Sequence, residues 1–361
     1  MNRERVAAAL KELERRSQLR ERFQRATSLD QPTDQDAIDV VADIGAGFIP
    51  GVGQAQAARD FERSRREGDR LGQLLAGFGM IPVVGGFGKV VSQGAKAIDK
   101  AIEAKLFRRV EENFDDLIGE YNTLEDAKGG RMLNVDTARE LSPEYLADRT
   151  KAADVHEPSS TFIKKLYAKR LAEPPPAGKA PVVVFTAGGT GAGKSSGLDI
   201  LENENPAFAK AELVYDTNMN KFSSAKDKID QALEAGREVK ILFTYRDPAE
   251  ALRQGALTRA TRQEKKFQSG RTVPLSEHGN THVGSRQTID QLREHYRDNP
   301  LVEFSAIDNS RGKGNAIPAE FENLPQLSDN AELRERLKNE LEEAYRAGEI
   351  SEATYRGFRD F

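Results

Sequence analysis

The chain has 361 residues, of which 38% are hydrophobic and 31% charged, with a formal charge of −4 and no cysteine. The missing cysteines exclude disulfides, zinc–thiolate centres and thiol nucleophiles. The near-neutral charge balance argues against a general nucleic-acid scaffold, and the length accommodates about two or three domains.

The opening, MNRERVAAALKELERR, is too charged for a signal peptide. Residues 3 to 27 read as one charged helix, with Val6, Leu10, Leu13, Leu19 and Phe23 along one side. Its expected role is packing or a homo-oligomer contact. Residues 43 to 91 hold an internal repeat. Gly45-Ala-Gly47-Phe-Ile49-Pro50-Gly-Val52-Gly53 recurs as Gly77-Phe-Gly79-Met-Ile81-Pro82-Val-Val84-Gly85. Small residues let helices pack backbone to backbone, in water or in lipid. A tightly packed helical hairpin and a transient membrane contact are the two readings of this stretch. The repeat resembles the IPxVG segments that precede the toxic domain in bacterial polymorphic toxins and some phage proteins.

Residues 94 to 128 read as amphipathic helix, and Lys128-Gly-Gly-Arg131 breaks it. Met132 to Val135 is a short strand candidate, and Asp136 opens a helix. Pro174-Pro-Pro-Ala-Gly178 is a stiff turn before the run Val182 to Ala187. Further strands are expected at Ala211–Tyr215, Val239–Tyr245 and Val302–Ile307, with helices between. Residues 329 to 361 read as a helical hairpin. Leu333, Leu337 and Leu341 stripe its first helix, Gly348 ends that helix, and Ser351 caps the next.

The motif that decides the class is Val182 to Ser196. An apolar strand enters Gly188-Gly189-Thr-Gly191-Ala-Gly193-Lys194-Ser195-Ser196, a G-x-x-x-x-G-K-[ST] phosphate loop in its proper strand–turn–helix setting. Glycines let the backbone N–H groups curl into an anion nest, and the helix that follows adds its positive dipole end. Lys194 is expected to bridge the phosphates of ATP or GTP, and the Ser195 hydroxyl to ligate Mg²⁺. Strands alternating with helices around such a loop predict an α/β fold, with a parallel sheet covered on both faces. An all-α N-terminal region and a C-terminal helical hairpin flank it. The expected boundaries are 1–127, 128–325 and 326–361.

Asp216 and Arg246-Asp-Pro248 end strands at the same sheet edge as the phosphate loop. Arg259, Arg262, Lys265, Lys266 and Arg271 form a basic segment suited to a lid, because arginine forks match phosphate oxygens.

These residues resemble the zeta-toxin-type kinases, which phosphorylate UDP-N-acetylglucosamine. Arg271-Thr-Val-Pro274-Leu-Ser-Glu-His278 resembles the family's lid stretch R-x-x-P-x-x-x-H. The resemblance implies that Arg271, with Arg259 or Arg262 as the earlier lid arginine, contacts the nucleotide phosphates. It places Asp216, Asn218 and His278 on the substrate side. The family's E-G-T-G-R motif here reads Asp216-Thr-Asn-Met-Asn220, without the glycines and the arginine. The family also places a D-x-D-T-x-K-x-x-x-P-x-[FY] segment after the phosphate-loop helix. In this chain the similar segment, Asn134-Val-Asp136-Thr-Ala-Arg139-Glu-Leu-Ser-Pro143-Glu-Tyr145, comes before the loop. The expectation is a transposition, with Asp136 and Asp148 as candidate bases. Asp136 is equally placed to be a helix N-cap.

The resemblance implies transfer of the ATP γ-phosphate to a nucleotide sugar such as UDP-N-acetylglucosamine. It also implies a toxin or effector acting in the cytoplasm of a target cell, with a cognate antitoxin or immunity protein. The rivals are a phage or mobile-element structural or ejected protein that only binds nucleotide, and a polynucleotide 5′-hydroxyl kinase. With an aromatic fraction of 7% and no Trp, the last has few base-stacking platforms.

Overall fold

The structure is a computed structural model, and it describes residues 100, 102–312 and 315–359. The chain divides into two units, Met1–Lys105 and Leu106–Phe361, and the second is the one described below. The helix expected over 3–27 and the repeat at 43–91 lie outside the described residues, and so do the oligomer and membrane contacts assigned to them. Among the described residues, no helix is long and apolar enough to cross a membrane.

Residues 106–112 are helical and lead into α1 (Phe114–Thr123). Then come β1 (Met132–Asn134), α2 (Val135–Ala138), α3 (Pro143–Ala147) and the long α4 (His156–Ala172). The phosphate-loop unit is β2 (Ala180–Ala187) and α5 (Lys194–Glu204), followed by α6 (Pro206–Lys210) and β3 (Ala211–Asp216). Next are α7 (Phe222–Glu234) and β4 (Glu238–Tyr245). A continuous helical segment follows: α8 (Pro248–Glu250), a π-helical turn (Ala251–Leu257) and α9 (Thr258–Phe267). The chain continues with α10 (Leu275–His295), β5 (Val302–Asp308), β6 (Ile317–Ala319), α11 (Ala331–Arg346) and α12 (Glu352–Phe358).

The sheet order is β1-β3-β2-β4-β5-β6. All pairings are parallel except β5 with β6, which is antiparallel. β2 is central and its last six residues are buried, which is why it reads as a continuous apolar run rather than an alternating one. Its side chains still alternate between faces. Val182 and Val184 share a cluster with Leu198, Phe208 and Val214 beneath α5 and α6. On the other face Phe185 stacks on Tyr215, and Tyr167 of α4 meets both rings edge-on.

The expected strands are all present, and the short one at Met132–Asn134 takes the edge position beyond β3. Met132 pairs with Val214 and Asn134 with Asp216, so β1 joins the sheet of β2 through β3. A three-residue edge strand needs further anchors. Tyr121, fully buried, donates its hydroxyl to the Met132 carbonyl at 2.7 Å and accepts from the Asn134 amide at 3.0 Å. Arg131 donates to the carbonyls of Ala211 (3.0 Å) and Phe208 (2.7 Å) and pairs with Glu202 at 2.6 Å. Asn134, not Asp136, caps α2, accepting from the amides of Asp136 (2.6 Å) and Thr137 (3.4 Å). That leaves the Asp136 carboxylate for other partners.

Candidate active site

The sheet's carboxyl edge gathers the polar residues. Gly188, Gly191 and Gly193 all have positive φ, the backbone curl that an anion nest requires. The loop is braced from three sides. The Thr190 amide donates to Thr281 Oγ1 at 3.0 Å, and His282 Nε2 donates to the Thr190 carbonyl at 3.0 Å. Asn309 donates from Nδ2 to the Ala192 carbonyl at 2.8 Å. The π turn packs on it backbone to backbone, for a Cβ on Gly255 would lie 2.4 Å from the Gly191 carbonyl oxygen. Only glycine fits there.

Lys194 opens α5 and donates from Nζ to Asn218 Oδ1 at 2.7 Å. The Asn218 carbonyl in turn accepts from the Gly188 amide at 3.2 Å and from the Ser285 hydroxyl. Asn218, expected on the substrate side, is therefore tied to the loop lysine in this state. Asp216 has both oxygens engaged, Oδ1 by Thr186 and Oδ2 by Asn134, each at 2.5 Å. Ser195 is exposed in the first turn of α5 and Ser196 half-buried behind it.

Asp136 lies in a nest of guanidiniums. It pairs with Arg139 at 3.1 Å and with Arg271. The crowded position alone would raise its pKa, but Arg271 first, then Arg139 and Arg259, hold it well below the usual carboxylate range. Lys194 feels the same group. Burial lowers its pKa, Asp216 and Asp136 oppose that, and Arg259 and Arg271 add to it. These are four cations, Lys194, Arg139, Arg259 and Arg271, against two carboxylates.

Arg259 carries the strongest signal. Its Nε and Nη2 atoms are buried without a hydrogen-bond partner. Burial and the neighbouring Arg271 push its pKa down to about 10. Guanidinium nitrogens buried without a hydrogen-bond partner cost about 1–3 kcal/mol or somewhat more for a charged group. A site with two excess positive charges and open guanidinium donors is built for an anion. The residues present therefore fit a magnesium-bound nucleoside triphosphate.

Other expected site residues lie elsewhere. Asp148 accepts from the amide and hydroxyl of Thr150, at 3.0 and 2.7 Å, as a cap. It is not among the charges that act most on Lys194. Arg262 is exposed on α9. His278 is fully buried and donates from Nε2 to the Pro248 carbonyl at 2.9 Å. It packs against His282 with the rings tilted and their centres 4.8 Å apart, so in this conformation it offers a ligand no surface. Burial pushes its pKa down to about 4, so it packs as a neutral ring.

Sequence reasoning missed Thr186, Thr281, His282 and Asn309, and it quoted Asn134 without a role. It quoted Arg139 only as a motif residue. Thr186 carried a readable signal, as the one polar residue within an otherwise apolar strand.

This geometry defines a phosphate-loop fold of the kinase type. Residues 204–312 match the family model described as zeta toxin, and this supports a kinase-type phosphotransferase. The match contains β3, the basic segment and β5 but begins after the phosphate loop. Among solved structures, the chain is similar to "AvrRxo1-ORF1:AvrRxo1-ORF2 with sulphate ions", at 16% identity and TM-score 0.33, over 53% of this chain and 80% of that one. It is also similar to the native AvrRxo1-ORF1:-ORF2 complex, at 17% identity and TM-score 0.35, over 60% and 88%. No curated protein sequence matches.

Proposed function

We propose that this chain is a zeta-toxin-like kinase that moves the γ-phosphate of ATP to a hydroxyl of a nucleotide sugar such as UDP-N-acetylglucosamine. The observation that carries it is Arg259 beside the phosphate loop, whose Nε and Nη2 are buried without a hydrogen-bond partner, within a cluster of excess positive charge. ATP would lie in the glycine nest and supply the phosphoryl group, with Mg²⁺ held in part by Ser195.

The chain's own residues do the rest. Lys194 neutralises phosphate charge from the base of the loop. Arg259 and Arg271 stabilise the charge on the transferring group. Asp136 orients the acceptor hydroxyl and takes its proton once Arg271 turns from the carboxylate to the phosphate. While Arg271 holds it, Asp136 is too acidic to be an effective base. Asp216, already gripped by Thr186 and Asn134, is the rigid substrate-side carboxylate.

A toxin or effector role in a target cell's cytoplasm, and a cognate antitoxin or immunity protein, belong to the same proposal. Their support is the zeta-toxin family match. The deciding experiment incubates the chain with ATP–Mg²⁺ and a panel of nucleotide sugars and 5′-hydroxyl oligonucleotides, then looks by mass for one added phosphate. Label on the oligonucleotides alone makes it a polynucleotide kinase. Nucleotide binding with no turnover on any acceptor overturns the kinase reading.

A further inference from the structure

The hairpin α11–α12 lies beyond residues 204–312, the part that matches the family model. It packs on the segment that carries Arg259 and Arg271. Leu337, Leu341, Ile350 and Phe358 share one buried cluster with Leu252 and Leu257. Polar ties are spaced along the same segment. At its start Asp247 takes both bonds of Arg336 at 2.9 Å. In the π turn Arg253 pairs with Glu349 at 2.7 Å and Glu340 at 3.2 Å. In α9 a single oxygen of Glu264 accepts from the hydroxyls of Ser351 (2.9 Å) and Thr354 (3.0 Å). At its end Gly357 touches Thr272 so closely that a Cβ there would lie 2.6 Å from the threonine side chain.

These ties bracket both arginines. Arg259 falls between the Arg253 and Glu264 anchors, and Arg271 is the neighbour of Thr272. A basic segment that buries two guanidinium nitrogens without hydrogen-bond partners does not hold that shape by its own charges. Mutual repulsion of Arg259 and Arg271 works against it. The apolar cluster and the Glu264 bonds supply the opposing force.

We propose that α11–α12 is a strap that sets the position of the lid, with Glu264 and the Gly357–Thr272 contact as positioning elements for Arg259 and Arg271. This rests on the kinase reading above. Glu264 and Gly357 act on transfer rather than on nucleotide capture, because they hold the segment beyond the π turn that packs on Gly191, and Thr281, His282 and Asn309 brace the phosphate loop as well.

The test uses the full chain with Glu264→Ala, Glu264→Gln and Gly357→Ala. Hydrogen exchange over residues 258–273 is read first and needs no activity. It should quicken about tenfold or more in Glu264→Ala while β2 and β4 stay protected, and unchanged exchange overturns the strap. Turnover with ATP–Mg²⁺ should fall roughly ten- to a hundredfold in Glu264→Ala and Gly357→Ala, as expected for displaced charge-stabilising groups. Affinity for a non-hydrolysable ATP analogue should stay within about twofold. Glu264→Gln, which keeps an acceptor oxygen, should recover most of the turnover. A faster-exchanging lid with unaltered turnover overturns the positioning role, as does an equal loss of nucleotide affinity. A wild-type chain that turns over no acceptor defeats the kinase reading instead, and the exchange measurement then decides the strap alone.

Discussion

Arg271 and Asp136, 135 positions apart in the chain, form an ion pair across the mouth of the phosphate-loop crevice. The pair joins the basic lid to the helix that follows the edge strand β1, so two segments on either side of the loop in sequence meet near enough to Lys194 to act on its charge. In this state the lid arginine rests on a carboxylate. Phosphate would compete for it. Arg271→Ala should lower turnover roughly ten- to a thousandfold with a small change in melting temperature, since its role is charge stabilisation. Wild-type turnover in that variant would remove Arg271 from the mechanism.

Lys194→Ala tests the base of the loop. The lysine is bonded mainly to Asn218, so its loss leaves the sheet and its core untouched. Circular dichroism should be unchanged and ATP consumption should fall by about a hundredfold or more. Full consumption by a folded variant would move the chemistry away from this crevice.

Gly255→Ala tests the seat of the lid root. The added methyl meets the Gly191 carbonyl at 2.4 Å and the Gly191 Cα at 2.7 Å, both backbone atoms with little freedom to yield. Destabilisation of about 1–3 kcal/mol is expected from overpacking of this kind. Nucleotide affinity should fall with it, because the atoms that must shift belong to the phosphate loop. Denaturant titration and calorimetric binding measure the two effects separately.

Tyr121→Phe addresses the edge strand. Its hydroxyl serves both the Met132 carbonyl and the Asn134 amide, so removal strands two backbone groups of β1. A cost of about 1–3 kcal/mol is expected for buried groups left unsatisfied. Exchange should quicken at β1 before it does at β2, and a uniform change across the sheet would contradict this anchoring.

His278 predicts a pH dependence. Its folded pKa is pushed down to about 4 by burial, from an ordinary 6.5. Between those values the unfolded chain binds a proton that the folded chain refuses. Stability is therefore full above about pH 6.5 and declines as pH falls toward 4, by on the order of 3 kcal/mol over the window. Below that the folded ring also protonates and this contribution is exhausted. Replacement by Gln should flatten the acid side of a melting-temperature profile. An unchanged slope would mean that His278 titrates normally.

The strands were legible because parallel sheets need long apolar runs, and Val182–Ala187 and Val239–Tyr245 are such runs. The phosphate loop was legible because its glycines and Lys194 have one geometric reason to occur together. That Met132–Asn134 forms a strand was legible from its apolar residues and the look-alike segment around Asp136, but its place at the sheet edge was not, because only pairing with β3 sets it. β6 was not, because three residues with a proline at the centre carry no period and only β5 gives them meaning. The direction of single polar residues was equally hidden. His278 and Arg259 both belong to the lid region, yet α10 turns the first into the core while α9 leaves Nε and Nη2 of the second buried without a hydrogen-bond partner. Asp148 and Asp136 differ in the same way, since one carboxylate is taken by a local cap and the other was freed when Asn134 took the capping role.

The placement of β1 also bears on how the chain is born. Arg131 and its partner Ala211 are separated by 80 residues, so Met132–Asn134 leaves the ribosome long before β3 exists to receive it. At a synthesis rate of about 5–20 residues per second the segment waits several seconds with its ladder groups unpaired. The crevice that draws on residues 136, 194, 216, 259 and 271 closes only after the chain has emerged past Arg271, well beyond the middle of the unit Leu106–Phe361. Such dependence on distant partners slows folding. Any chain interrupted before Ala211 lacks the strand that joins β1 to β2, and with it the means to bring Asp136 and Lys194 together.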